Sequence, residues 1–157
     1  MKLSFSTKGW HESDFDGFCN IAEELHFQGI ELHNIYNRLF TDKDGAFHDY
    51  TAAATLRRLY EKNLQIPCLD TICDIALTDE ETADLEEINA CLAIASNLRI
   101  PYIRIRAADK EDRQEAISQV TRIIEQVLPA ACEKGITLLG IYAAFVVLQV
   151  LIALHVI

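Results

Sequence analysis

Charged and titratable side chains occur at alternating positions in three short apolar segments of the sequence. Glu31 and His33 alternate with aliphatic residues in IELH, and Asp70 ends QIPCLD. Arg104 and Arg106 alternate with isoleucines in YIRIR. Carboxylate, imidazole and guanidinium groups can bind hydroxyl or phosphate groups, carry protons, or pair with one another. Because alternate residues of a strand share a face, each segment is expected to place its polar groups together.

Two interpretations of this polar face remain open from the sequence. In the first, the side chains of Glu31, Asp70, Arg104 and Arg106 bind a substrate. In the second, Glu31 and Asp70 pair internally with Arg104 and Arg106, because charges on a buried face need partners. A small anionic ligand fits the first interpretation, since two arginines in a pocket suffice to bind it.

Three further side chains are candidates for the same pocket. Trp10 and His11 follow the first predicted strand and could form a pocket wall, although a loop tryptophan also often serves packing alone. His33 could be a metal ligand, a proton carrier or a histidine satisfied within the core. The predicted substrate-binding set is Glu31, His33, Asp70, Arg104, Arg106, Trp10 and His11.

Strand-like and helical patterns alternate along the chain. Strands are predicted at 2–6, 30–33, 65–70, 102–106 and 136–139. Helical spacing separates them, with apolar positions Phe15, Phe18, Ile21, Ala22 and Leu25; Ala53, Leu56 and Tyr60; Leu85, Ile88, Leu92 and Ala95; and Ile117, Val120, Ile124, Val127 and Ala131. Ser13 is predicted to cap the first helix and Gly29 to end it.

This alternation predicts an α/β fold with parallel strands. Each βα unit takes roughly 33 residues, and eight such units would reach the usual size of a (β/α)8 TIM barrel. The chain therefore has room for about four units and a fifth strand, a partial TIM barrel. A doubly wound sheet is the competing architecture, but no glycine-rich phosphate loop follows the first strand.

The composition argues against a nucleic-acid partner and favours a reducing, cytoplasmic location. The net charge of −10 argues against a nucleic-acid surface, which needs clustered lysine and arginine. The five cysteines have neither zinc-finger nor CxxC spacing and are expected to be buried thiols in a reducing cytoplasm. The N-terminal apolar run is too short for a signal peptide, so a cytoplasmic location is predicted.

Four segments resemble the xylose-isomerase-like TIM barrel superfamily, which includes sugar phosphate isomerases and epimerases. The segments are FDGFCNIAEELHFQGIELHN, LQIPCLDT, LRIPYIRIRA and VLPAACEKGITLL. The resemblance covers about residues 1–139 and is to the N-terminal half of the barrel. It implies a carbohydrate substrate and, in full-length relatives, a divalent metal that polarises a carbonyl group.

The resemblance also implies that this chain lacks the metal site. A glutamate at the end of the fifth strand is typically the first metal ligand, but Gly140 and Ile141 stand at that place, and no Asp or Glu follows Glu133. No catalytic residue, metal ligand or cofactor is therefore assigned to the chain. We expect a catalytically incomplete isomerase or epimerase whose first-half residues contact substrate.

The segment 140–157 does not match the family pattern. No Asp, Glu, Lys or Arg occurs after Lys134, and the segment is apolar enough to form a helix-like tail. A truncated or frame-shifted ending is the leading explanation. The alternative is a non-enzymatic half-barrel module that its tail holds to a membrane or partner. Either way, open barrel edges predict self-association.

Overall fold

The computed structural model describes residues 2–9, 14–75, 81–107 and 113–142. Strands and helices alternate along these residues. The strands are β1 (Ser4–Ser6), β2 (Gly29–His33), β3 (Cys68–Ile75), β4 (Tyr102–Ala107) and β5 (Thr137–Tyr142). The helices are α1 (Phe15–Glu24), α2 (Arg38–Thr41), α3 (Ala52–Glu61), α4 (Glu81–Leu98) and α5 (Arg113–Glu133).

The five strands form one parallel sheet in the order β1-β2-β3-β4-β5. A doubly wound sheet reverses its strand order at a switch point, and this order does not reverse. Sequential parallel strands joined through helices are the arrangement of a TIM barrel. The predicted α/β fold, a partial TIM barrel, is confirmed.

The hydrophobic core lies between the sheet and the helices. The side chains of Ile30, Leu32, Leu69 and Ile103 are fully buried on the helix-facing side of β2, β3 and β4. The predicted stripe of α4 faces this core: Ile88, Leu92 and Ala95 are buried, and Leu85 packs against them half-buried. Four cysteines are buried thiols as predicted, whereas Cys132 is exposed.

The ends of α1 differ from their prediction. Ser13 lies outside the described residues, and Asp14 is the N-cap, accepting a hydrogen bond from the backbone N–H of Gly17 at 2.7 Å. The helix ends at Glu24, and His26 then takes a left-handed conformation with φ of 56°. Gly29 therefore does not end the helix, and the prediction that it does is wrong.

Gly29 instead begins β2, where three strands approach closely. A Cβ atom at this position would lie 3.0 Å from the Cβ of Ser4 and 3.1 Å from the Cδ of Pro67. The glycine thus permits the spacing of β1 and of the segment that leads into β3.

Two other predictions about elements need correction. On α3 the buried residues are Thr55 and Leu59, while Tyr60 is 83% exposed, so the predicted apolar face is misplaced by one position. The third strand runs over Cys68–Ile75 instead of 65–70, because the chain continues extended past Asp70. The short helix α2 was not predicted.

The C-terminal strand β5 extends to Tyr142, beyond its predicted end at 139. Residues 143–157, which make up most of the predicted tail, lie outside the described residues. Among the described helices, none is long and apolar enough to cross a membrane. The membrane contact through 140–157 and the cytoplasmic location stay predictions.

Candidate functional site

Glu31 and Arg104 form an ion pair across the middle of the sheet. The guanidinium group donates from Nη2 to Oε2 of Glu31 at 2.6 Å and from Nη1 to Oε1, so the contact is bidentate. Glu31 is buried on β2 and Arg104 is half-buried on β4, and both strands pair with β3. The pair therefore spans β3, and the predicted pairing of these two side chains is confirmed.

The ion pair sets the electrostatics of its surroundings. Burial opposes the charge of Arg104, but the hydrogen bonds and the attraction from Glu31 outweigh it and raise the pKa of the guanidinium group. Burial, followed by the negative charge of Glu31, raises the pKa of the Cys68 thiol to about 12. Cys68 is thus a protonated, unreactive thiol beneath the pair.

His33 and Asp70 form a second contact on the same face. Nδ1 of His33 lies 2.9 Å from Oδ2 of Asp70, and the two residues are register partners on β2 and β3. An ionised carboxylate only accepts hydrogen bonds, so this contact places a proton on Nδ1 of His33 and leaves Nε2 outside the contact. The hydroxyl of Thr7 accepts from the backbone N–H of His33 at 2.9 Å and fixes the end of β2.

The other oxygen of Asp70 is buried without a hydrogen bond. The residue is only 2% exposed, and its Oδ1 atom has no hydrogen-bond partner among the described residues. Such an atom costs free energy unless it gains a partner, about 1–3 kcal/mol. Asp70 also pairs in register with Arg104, so the two residues lie side by side on the polar face.

Arg106 departs from the predicted network. Its Nε lies 3.2 Å from Oδ1 of Asp74, and its Nη2 donates to the backbone carbonyl of Ile72 at 3.1 Å. Nε meets the distance of an ion pair but not the geometry of a hydrogen bond within the described part of the chain. The internal network that the sequence left open therefore takes a different form at Arg106, because β3 continues to a second carboxylate, Asp74, that pairs with it in register.

The sequence missed two side chains that belong to this face and predicted two that the structure does not describe. Asp74 follows Asp70 at a spacing of four, a strand pattern that would have indicated it if the strand had not been ended at 70. Thr7 carries no such signal. Trp10 and His11 lie outside the described residues.

Two cavities lie near these elements. A small one, about 120 Å³, adjoins His33 and is lined also by Thr7, Asn34 and Asn37. A larger one, about 520 Å³, lies between α1, α3 and the loop after α2, where Asp16, Asp42 and Arg58 line it. Of the polar side chains of the sheet, only His33 lines the smaller cavity, and none lines the larger one. We therefore place the candidate site on the polar face of the sheet, next to the smaller cavity.

A divalent metal does not fit the described residues. No three His, Cys, Asp or Glu side chains within 2–9, 14–75, 81–107 and 113–142 are grouped so that they could hold a metal ion. Both carboxylate oxygens of Glu31 bind Arg104, and Oδ2 of Asp70 binds His33. We therefore assign no metal ligand to these side chains.

Several solved structures are similar in fold to this chain. The probable 3-DHS dehydratase AsbF of Bacillus anthracis matches with a TM-score of 0.70 and 23% identity over 89% of this chain and 52% of its own. An IolI protein with a bound zinc atom matches with a TM-score of 0.71 and 15% identity, over 91% of this chain and 52% of its own. A sugar phosphate isomerase/epimerase of Parabacteroides distasonis matches with a TM-score of 0.62 and 14% identity, over 90% of this chain and 51% of its own.

This chain shares the fold of part of these proteins, a partial TIM barrel. It spans about half the length of the solved structures that it matches. No protein-family model matches the chain, and no curated protein matches it significantly. The likeness therefore establishes the fold, and the function must be argued from the site.

Proposed function

We propose that this chain supplies a substrate-binding wall of a sugar or sugar-phosphate isomerase or epimerase. The observation that carries the proposal is the buried carboxylate of Asp70, which has one oxygen without a hydrogen bond beside Arg104 and His33. His33 is the last residue of β2, and Asp70 and Arg104 lie beside it in register on β3 and β4. Active sites of α/β barrels lie at the carboxyl ends of the strands, the end at which His33 stands.

The chemistry of this wall suits a polyhydroxylated ligand. A sugar hydroxyl can donate to Oδ1 of Asp70, and it can bind Nε2 of His33 either by donating to the neutral ring or by accepting from the protonated one. Arg104 retains N–H groups beyond the two that bind Glu31, because a guanidinium has five donors. Those donors can bind a hydroxyl, a carbonyl or a phosphate oxygen.

Each residue then has a role in binding. Asp70 and Arg104 contact the ligand, Glu31 fixes the plane of the guanidinium, and Asp70 together with Thr7 orients His33. Arg106 is held at the rim by Asp74 and is available to an anionic group. Trp10 and His11, which follow β1 in the sequence, stay predicted members of this wall.

The similar structures support this class of ligand, since they include a sugar phosphate isomerase/epimerase and a xylose isomerase domain protein. In such enzymes a divalent metal polarises the carbonyl beside the carbon that loses its proton. The described residues of this chain bind and orient, and we propose no proton-transfer step for them. We accordingly expect binding by this chain without turnover.

Binding to the full chain tests the proposal. Calorimetric titration with an aldopentose, a ketohexose and a hexose 6-phosphate should find one class that binds. Asp70→Asn should weaken that binding at least about tenfold. The amide oxygen of asparagine can still accept from His33, but its NH2 group, a donor, then replaces the acceptor Oδ1. Asp49→Asn makes the same chemical change at an exposed position and should leave the affinity unchanged.

The titration can also refute the proposal. Absence of binding by all three carbohydrate classes, or equal affinity of Asp70→Asn and Asp49→Asn, would remove Asp70 from any carbohydrate site. A thermal melt of each variant separates lost binding from lost folding. Carbon-bound hydrogen exchange with solvent, followed by NMR in the presence of Mn²⁺, would reveal turnover and contradict the expected incompleteness.

A further inference from the structure

Strand β3 is irregular where it reaches the candidate site. Asp70 pairs with Arg104 and Asp74 pairs with Arg106, so β3 uses four residue steps where β4 uses two. A bulge of this kind interrupts the ladder and leaves backbone groups to find other partners. Ile72 lies in this interval and is 40% exposed on the polar side of the sheet.

Glu87, on α4, accepts a hydrogen bond from a backbone N–H of this bulge, from the side of the sheet that faces the helices. Its Oε1 accepts a hydrogen bond from the backbone N–H of Ile72 at 2.7 Å, and the residue is only 6% exposed. Burial raises the pKa of this carboxyl, while the N–H groups of Ile72 and Cys73 and the charge of Arg106 oppose the rise. Burying a carboxylate costs hydration free energy, and we expect it only where a hydrogen bond, here to the backbone of the bulge, offsets that cost.

Arg106 holds the same residue from the opposite side of the sheet. Its Nη2 donates to the carbonyl of Ile72, while its Nε lies beside Asp74. Ile72 is thus fixed at its N–H by Glu87 and at its C=O by Arg106. The position of the guanidinium depends on the orientation of that carbonyl, and the orientation depends on the bulge.

We propose that Glu87 is a positioning residue for the candidate site, holding the bulge of β3 so that the Ile72 carbonyl orients Arg106. It acts through the backbone and touches no ligand. The role of Glu87 in ligand binding rests on the proposed function. Its effect on the position of Arg106 does not, because that effect is a property of the chain alone.

Substitutions of Glu87 separate its hydrogen bond from its volume. Glu87→Gln keeps a carbonyl oxygen at the same reach, whereas Glu87→Leu fills similar space without an acceptor. Glu87→Asp keeps the charge but is one methylene too short, and it carries the test if the leucine variant does not fold. Glu86→Gln and Glu86→Leu are the controls, because Glu86 is exposed on the same helix.

Amide hydrogen exchange in the ¹⁵N-labelled full chain gives the first measurement. Glu87→Leu and Glu87→Asp should lose at least about tenfold of the protection at Ile72, the effect of one charge-assisted hydrogen bond. The amides of Leu69 and Ile103, below the bulge, should keep their protection. Glu87→Gln should retain most of the protection at Ile72, and both Glu86 variants should retain all of it.

The Nε–H resonance of Arg106 gives the second measurement, which a purely local role of Glu87 would not change. We expect it to shift or broaden in Glu87→Leu and Glu87→Asp and to stay in place in Glu87→Gln. An unchanged Arg106 resonance in a folded variant that has lost protection at Ile72 would overturn the coupling. Loss of protection throughout the sheet would show that Glu87 serves global stability instead. Neither result depends on carbohydrate binding, so failure here is distinguishable from failure of the proposed function.

Discussion

The ion pair of Glu31 and Arg104 brings two charges into the polar face. Two charges leave water for a mostly buried position, and only their bidentate contact offsets that loss of hydration. Such a pair contributes little net stability, but breaking it is costly because it leaves an unpaired charge. Its effect is therefore best measured by removing one partner and then both.

Arg104→Met is expected to lower the free energy of unfolding by about 3 kcal/mol, because Glu31 is left buried and unpaired. The double variant Glu31→Leu with Arg104→Met should recover most of that loss, since no charge stays buried. Urea denaturation of the wild type, both single variants and the double variant measures the coupling. Equal losses in the single and double variants would contradict the interpretation.

An exposed pair provides the matched control for this cycle. Arg57 and Glu61 form an ion pair one turn apart on α3, at 2.8 Å, with both side chains in solvent. Removing either or both should change stability by less than about 0.5 kcal/mol. A cost close to that of the Glu31–Arg104 pair would show that burial is not the cause.

Close approach of the first strands depends on a glycine at the start of β2. The edge strand β1 and the segment before β3 both come within van der Waals contact of Gly29, which has no side chain to separate them. Because β2 carries Glu31 and His33, this spacing also sets the distance between β2 and the partners of those side chains on β3 and β4. The glycine therefore serves sheet spacing and not helix termination.

Gly29→Ala should destabilise the fold by about 1–2 kcal/mol, since the added methyl overpacks this contact. Gly140→Ala is the control within the same sheet, because a Cβ there meets no atom within 4 Å among the described residues. That variant should be neutral or slightly stabilising, because alanine restricts the unfolded chain. Thermal unfolding followed by circular dichroism checks both; equal midpoints would contradict the packing argument.

The described part of the sheet has two edge strands, and large apolar side chains are exposed on its polar face. Among the described strands, β1 and β5 each pair with a single neighbour. Tyr102 and Leu139 share the face of Arg104 and are exposed there, as is Ile72. Unpaired strand edges and exposed apolar side chains favour association with other chains.

We expect this chain to self-associate through that face at micromolar concentrations. Leu139→Lys should shift the sedimentation coefficient toward that of a monomer, because it places a charge where the face would be buried. Tyr60→Lys makes a similar change on the outer helix α3 and should have no effect. A monomeric wild type, or an effect of Tyr60→Lys alone, would contradict this expectation.

Alternation in the sequence was sufficient to place Glu31, His33, Asp70 and Arg104 on one face. The same alternation continues past Asp70 in DTICDI, residues 70–75. Asp74 was missed because the predicted strand ended at residue 70. The bulge that brings Asp74 opposite Arg106 could not be predicted, because it depends on an acceptor from α4 that is distant in sequence.

The sequence by itself determined the alternating order of the five strands and the long helices, and hence the parallel α/β fold, because these depend on local periodicity and on short connections. Tertiary structure alone decided which charged groups pair and which oxygen of Asp70 stays without a partner. Those outcomes depend on strand register and on diagonal contacts across β3, and register is fixed only when the strands pack together.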